Sequence, residues 1–573
     1  MPIDGVGHQF HVNLAMPVQA LEDAIVRFQD TGLTQVVTEL DVTTGTPVTQ
    51  ALLVEQGYYY RDAFRVFREY AEDLYSVTVW GLIDTRSWRD SSGAPLLFDG
   101  NLRAKPAYYG AVDSDELPPR QRSAFVFAGD VALDDGAWDA VEWAQLPLHS
   151  VQDEALEERA AFQLRWAADH LTVLATVADG SDAIEVVVGD ETYAVGRDGG
   201  APATAAVAAA ADLAAITTEV DGGWLAVVHV PLDGAAEGDL LAFDLRTVGD
   251  DGAVGWSSPG TLAQLTLVEP LSYLEVAPAE GTPEVDGTVD DVWESAGVVT
   301  TDKQTLLAEG ADAAATATAE VRTLWEENTL YVLMEVTDAE LNAKHSDPWA
   351  QDSVEIYVDA GNYKNGPYRY DDTQIRISYE NVVSFGTGDE AFQAARVESA
   401  TSVTDDGYVV EAAISLLEEG GLGTFHGLDF QVNDASTVDG VAARTSIRNW
   451  ADPTGLGYQS TARWGVGQLV ATAEEPTPSP TDPPTGSPSP TDPPTGSPTP
   501  TDPPTGPGAG GPGAPSGVAG TAAPGAHGAG DAGTPGAGRL PVTGVELSAV
   551  LLALLLVASG GTLVARRRSA SAE

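Results

Sequence analysis

Over residues 1 to 113 the apolar positions switch between two periods. Alternation predicts strands over Ile3 to Leu14, Gln35 to Val42 and Val77 to Leu82. A helical period predicts an amphipathic helix over Pro17 to Thr31 and further helix over Val48 to Asp73. Strands alternating with helices imply a parallel sheet or barrel. Three strands cannot close a barrel, so this stretch reads as a piece of one. From about Ser123 to about residue 470 the pattern changes to short strands separated by Gly and Asp turns, as in a β-sandwich.

That second stretch repeats itself. Trp166-Ala167-Ala168-Asp169-His170-Leu171-Thr172-Val173-Leu174 matches Trp325-Glu326-Glu327-Asn328-Thr329-Leu330-Tyr331-Val332-Leu333, and Asp179 answers Asp338. Asp182-Ala183-Ile184-Glu185 matches Asp352-Ser353-Val354-Glu355, while Asp135 and Trp138 answer Asp290 and Trp293. Two homologous sandwich modules are therefore expected. The first has two residues between Asp179 and Asp182 where the second has thirteen between Asp338 and Asp352, Trp349 among them. Near Val248 nothing is expected to answer Trp450, so the first module reads as a structural spacer.

Residues 476 to 507 carry a ten-residue Pro/Thr/Ser/Asp repeat, followed by a Gly/Ala/Pro tract to about Gly538. Such sequence cannot pack a core. In extended polyproline geometry at ~3.1 Å per residue the repeat would reach on the order of 100 Å. An apolar run from Val545 to Ala565, then Arg566-Arg567-Arg568, predicts a transmembrane helix with its basic end in the cytoplasm. The expected fold class is multidomain: a partial (β/α)8 TIM barrel, whose identity and strand numbers 6 to 8 follow from the family resemblance of residues 1 to 113, two β-sandwich modules, a disordered Pro-rich linker and one C-terminal transmembrane helix. The expected boundaries are 1–113, 123–268, 271–472, 473–538 and 540–573.

The 573 residues include 86 Asp+Glu against 28 Lys+Arg, a net charge of −58. This excludes electrostatic binding of nucleic acid or anionic lipid. The absence of Cys removes disulfides, thiolate metal sites and thiol catalysis. Against this background Val37-Thr38-Glu39-Leu40-Asp41 stands out, an apolar run carrying Glu39 and Asp41 on one face. Such a pair either decorates a solvated strand edge or serves chemistry.

The motifs around it favour chemistry. Gly5-Val6-Gly7-His8-Gln9-Phe10-His11, Thr38-Glu39-Leu40-Asp41, Val79-Trp80-Gly81-Leu82-Ile83-Asp84 with Ser87-Trp88, and Pro95-Leu96-Leu97-Phe98-Asp99 with Lys105-Pro106-Ala107-Tyr108-Tyr109 follow in order. With them residues 1 to 113 resemble glycoside hydrolase family 10, the retaining β-1,4-xylanases. The resemblance implies that Glu39 is the nucleophile, oriented by His11 and Asp41, with Gln9 in the same polar shell and Trp80 and Trp88 walling the sugar subsite. His8 reads as structural. A retaining glycosidase needs a second carboxyl at about 5–5.5 Å. The family's acid/base Glu belongs to strand four, which would lie before Met1. An N-terminal segment is accordingly expected to be missing, and this chain alone is expected to be inactive.

Val285-Asp286-Gly287 with Asp290 and Trp293, the run His345 to Asp359, Val432-Asn433-Asp434-Ala435 and Asn449-Trp450 resemble carbohydrate-binding module family 9. The resemblance implies a sugar held between Trp349 and Trp450, with Glu355 and Arg376 bonding its hydroxyls. Catalysis needs no cofactor. Structural calcium is possible, for which Asp286, Asp290 and Asp291 are the turn candidates. Leu540-Pro541-Val542-Thr543-Gly544, the apolar run and the Arg tail resemble a Gram-positive cell-wall sorting signal. This implies cleavage by sortase between Thr543 and Gly544, attachment to peptidoglycan after a membrane stage, and a secreted, wall-anchored protein. The partners expected are xylan and related β-glycans. An open alternative is a non-catalytic surface protein that binds plant cell-wall glycan.

Overall fold

The structure, a computed structural model, describes residues 3–471 except 135, 200–212, 251, 365, 387, 389 and 439; the expected linker, sorting signal and membrane span lie outside the described residues. Among the described residues no helix is long and apolar enough to cross a membrane. All of them fall in one compact unit.

The first region is a partial barrel. Strands β1 (Gly5–His8) and β2 (His11–Asn13) follow one another along one edge of β3 (Thr34–Thr43), with β4 (Leu74–Val79) on the other edge and all pairs parallel. Helices α1 (Val18–Gln29), α2 (Gln50–Glu69) and α3 (Pro106–Val112) accompany them. Tyr59, Tyr60, Ala63, Val66 and Phe67 of α2 pack with Val37, Leu40 and Val42 of β3. The Thr49 hydroxyl accepts the Leu52 N–H and caps α2. Helix α3 approaches α2 so closely that a Cβ on Gly110 would lie 1.9 Å from the Gly57 carbonyl oxygen.

The strand expected from Ile3 to Leu14 is broken at Gln9-Phe10. Opposite the break, β3 bulges: Val37 pairs with Val77 but Leu40 with Val79. On the other edge His8 pairs with Val37 and His11 with Asp41. One residue too many on β3 lets Val37, Leu40 and Val42 all join the apolar core despite their spacing. Glu39 sits inside that bulge, a common device for re-aiming a side chain.

The two β-sandwiches have the same topology. The first strand of each, Ser123–Ala128 and Tyr273–Pro278, runs parallel to the last, Ala263–Pro270 and Gly465–Leu469, and then bridges to the opposite layer at Trp166 and Trp325. Those indoles donate to corresponding carbonyls, Val268 at 2.8 Å and Val470 at 3.0 Å. Both cores lie between the two layers.

Trp450 corrects an expectation. It is 7% exposed and packs against Phe430 in the core, with no room for a sugar. Its N–H donates to the Phe430 carbonyl at 2.9 Å, and Trp256 of the first sandwich makes the matching bond to Leu245 at 3.0 Å. The first sandwich therefore does answer Trp450, and both residues are framework.

Polar contacts fasten the regions together, three of them involving buried or half-buried groups of opposite character. Glu55 of α2 accepts from Arg120 at 2.6–3.0 Å and lies 3.5 Å from Arg122; burial raises its pKa, but the two guanidiniums outweigh that and hold it below the usual carboxylate value. Arg463 pairs with Glu269 between the sandwiches. Asn13, at the C-terminal end of β2, donates to the Tyr368 carbonyl at 2.7 Å. The second sandwich also buries Asp352 and half-buries Asp338 beside it. Burial, with repulsion from neighbouring carboxylates, pushes their pKa values up to about 6 and about 8.

Removing Glu55 takes its carboxylate away from Arg120 and Arg122, so Glu55→Ala should destabilise this unit by about 3–5 kcal/mol in denaturant titration. Trp450→Ala should cost about 3–5 kcal/mol, as for a large core aromatic. Because the protonated forms of Asp338 and Asp352 suit the fold, their contribution is full below about pH 4 and is lost as pH rises through 6 to 8. In chelator-treated protein the melting temperature of the second sandwich should fall between pH 5 and 8.5, and Asp352→Asn should flatten that fall.

Candidate active site and glycan pocket

At the C-terminal ends of β2 and β3 the side chains form a continuous polar chain. Gln9 Nε2 donates to Glu39 Oε1 at 3.0 Å. His11 bridges the two carboxylates, with Nε2 3.1 Å from Glu39 Oε2 and Nδ1 2.8 Å from Asp41 Oδ2. Asp41 is fully buried, and its Oδ1 accepts from Arg89 Nη1 at 2.6 Å. Arg89 also donates to the Val12 carbonyl at 2.9 Å and to the Thr43 hydroxyl at 3.3 Å, pinning β2 to β3. The sequence reading missed Arg89, whose only local signal is its place beside Trp88.

The chain holds Glu39 by one carboxylate oxygen from each side, while Glu39 keeps contact with solvent. A carboxylate so fixed can attack an electrophilic carbon without reorganising. Trp88 is 66% exposed and meets the His11 ring edge-on with centroids 5.0 Å apart. Trp80 is 44% exposed at the end of β4. Both indoles therefore have free surface near Glu39. His8 is buried, bonded to Gln35 at 2.8 Å and stacked on Phe10.

The second sandwich contains a cavity of about 480 Å³, lined among others by Trp349, Glu355, Tyr357, Gln374, Arg376 and Tyr458. The thirteen-residue connection between Asp338 and Asp352 places Trp349 on a short turn, Pro348–Ala350, where it is 47% exposed. Tyr458 supplies the second exposed aromatic at 51%, from the loop Gly455-Leu456-Gly457-Tyr458. Sequence reasoning overlooked it; an aromatic in a Gly-rich loop was the available signal.

Glu355 lies on the cavity floor with its acceptor capacity filled. It takes hydrogen bonds from Arg376 Nε at 2.7 Å, Asn433 at 2.8 Å, Tyr357 at 2.7 Å and Gln374 at 2.5 Å. Burial opposes its ionisation, but Arg376 and these donors outweigh that and lower its pKa. Glu355 here anchors the donors around it, and a sugar hydroxyl would have to displace one of them. Arg376 Nη1 reaches Ser384 at 3.2 Å along the cavity wall.

Asp286, Asp290 and Asp291 do not gather into a site. Asp286 caps the Thr288 N–H at 2.8 Å, and Asp291 is exposed. A better oxygen donor for a divalent cation is Asp338, whose Oδ2 is sealed from solvent without a hydrogen-bond partner near Asp352 and Asp434.

Comparison with known proteins assigns both regions. Residues 1–114 match the family described as "Glycosyl hydrolase family 10", and residues 285–472 match "Carbohydrate family 9 binding domain-like". Endo-1,4-beta-xylanase A of Thermoanaerobacterium saccharolyticum is 31% identical over 83% of this chain and 42% of its own length. Exoglucanase XynX of Acetivibrio thermocellus is 31% identical over 83% of this chain and 44% of its own. The chain thus spans less than half the length of these curated relatives. A family 9 carbohydrate-binding module from Caldicellulosiruptor kristjanssonii, solved in complex with cellotriose, is 31% identical over 37% of this chain and all of its own, with a TM-score of 0.31. The chain joins part of a glycosyl hydrolase family 10 domain to a family 9 carbohydrate-binding domain.

Proposed function

We propose that this chain belongs to a retaining endo-1,4-β-xylanase and supplies the half of its active site that holds the nucleophile. The observation that carries the reading is the chain Gln9–Glu39–His11–Asp41–Arg89. In it Glu39 attacks the anomeric carbon and forms a glycosyl-enzyme intermediate, while His11 and Asp41 keep its carboxylate oriented. Trp80 and Trp88 wall the adjoining sugar subsite. Among the described residues Asp41 is the other carboxylate in this chain, and it is committed to Arg89 and His11. Among the described residues no second carboxyl free to protonate the leaving group joins Glu39, and xylan hydrolysis by this chain alone is not expected.

The second sandwich holds β-1,4-glycan between Trp349 and Tyr458, with Arg376 directed at hydroxyls by Glu355. The first sandwich, 123–268, is a degenerate family 9-like spacer. Residues 473–538 form a wall-crossing linker, and sortase joins Thr543 to peptidoglycan after release from a membrane span. A non-catalytic, glycan-tethering role is a second reading, favoured because the glycan cavity is complete within the chain while the catalytic pair is not.

Isothermal titration of the full chain with cello- and xylo-oligosaccharides should show binding that Trp349→Ala and Tyr458→Ala each weaken at least tenfold at unchanged melting temperature. A chain that binds equally well without Trp349 overturns the pocket assignment. Xylan incubated with the chain should yield no new reducing ends; release that Glu39→Gln abolishes would show that a proton donor is present after all.

A further inference from the structure

The first sandwich carries a cluster that the glycan-binding reading does not use. His170 opens the strand His170–Ala178, and His229 lies near the end of its antiparallel neighbour, Gly223–Pro231. The register pairs His170 with Pro231 and Thr172 with His229, so the two imidazoles are diagonal neighbours on one face. Their rings stack with centroids 4.0 Å apart. Asp130 enters from the loop after Ser123–Ala128. Its Oδ1 lies 2.9 Å from His170 Nε2 and 3.9 Å from His229 Nε2. Among the described residues this is the one group of three such side chains whose ligand atoms all fall within 4.8 Å of one another.

We infer that His170, His229 and Asp130 form a binding site for a divalent transition ion of the zinc class. Two imidazole nitrogens and one carboxylate oxygen suit such ions, whereas calcium and magnesium prefer all-oxygen sets. A second, independent contact supports the same use. Asp169 Oδ1 lies 2.8 Å from His170 Nδ1, the outer carboxylate that holds Nδ1–H and leaves Nε2 to face the ion. His229 Nε2 now donates to the Val131 carbonyl at 2.8 Å. The ion takes the place of that hydrogen, the proton moves to Nδ1, and the carbonyl oxygen stays beside the ion. Each ring turns about its Cβ–Cγ bond to aim its lone pair.

The cluster is peculiar to the first sandwich. Since His170 pairs with Pro231 and Thr329 pairs with Ser415, His229 corresponds to Ala413 and His170 to Thr329, neither a ligand of this kind. Its position gives it work to do. Val131 starts the segment whose apolar residues, Val131, Ala137, Trp143 and Leu146, cover Leu174 and Val227 on the outer face of the sheet. An ion bridging Asp130 to the two strands clamps that cover.

The test is titration of chelator-stripped full-length chain with Zn²⁺ in excess Ca²⁺, which occupies the acidic surface. One equivalent should bind, at least tenfold more tightly than to His170→Ala or His229→Ala, and should raise the melting temperature. Asp169→Asn should weaken binding less than either. Co²⁺ in place of Zn²⁺ should show visible absorption that both His variants lose. His229→Gln keeps a donor toward Val131; if the alanine variants misfold, loss of binding in His229→Gln with unchanged near-UV circular dichroism supports the site. Equal Zn²⁺ binding by the unmutated chain and His229→Gln, or no binding above that of Ca²⁺, overturns it.

Discussion

Taking a carboxylate out of water is costly unless donors replace the water, and a chain with 86 acidic residues against 28 Lys and Arg meets that cost repeatedly. At several places where this protein buries an acid it sets its cations beside it. Asp41 has Arg89, Glu55 has Arg120 and Arg122, and Glu355 has Arg376. These positions are the polar chain around Glu39, the joint between barrel and sandwich, and the floor of the cavity lined by Trp349. Asp338 and Asp352 show the other outcome: without a cation to match, they shift toward the protonated form.

The two sandwiches separate framework from function. Their strand orders, their indole-to-carbonyl bonds and their buried Trp256 and Trp450 correspond. What differs is carried by loops. A tight connection at Gly180 in one becomes, in the other, a longer excursion bearing Trp349. A rigid double layer tolerates such replacement because loop residues contribute little to the core.

Much of the architecture was legible because it is written in local periods. The helices α1 and α2 and the central strand lie within a few residues of their expected places, and the repeat announced the shared scaffold. The bulge at Glu39 was not legible, since an extra residue in β3 is defined only against its neighbours, and period-two reasoning carries Ile3 to Leu14 through as one strand. Trp450 misled for a related reason: a motif fixes a residue's identity, whereas its burial depends on Phe430 and Gly465, brought to it by the sheet. Tyr458 and Arg89 gain their importance from partners far along the chain. Gln9, Glu39, His11 and Asp41, by contrast, sat in short motifs whose spacing the parallel register preserves.

The Glu55 joint has a bearing on how the molecule responds to its surroundings. A surface with this excess of negative charge repels itself, and dissolved salt relaxes that repulsion within a Debye length of about 8 Å near 0.15 M. The pair of Glu55 with Arg120 and Arg122 is shielded from the same ions by burial. Rising ionic strength thus eases the outer surface while leaving the joint between barrel fragment and first sandwich almost untouched. Brine and fresh water should find the two held at the same angle.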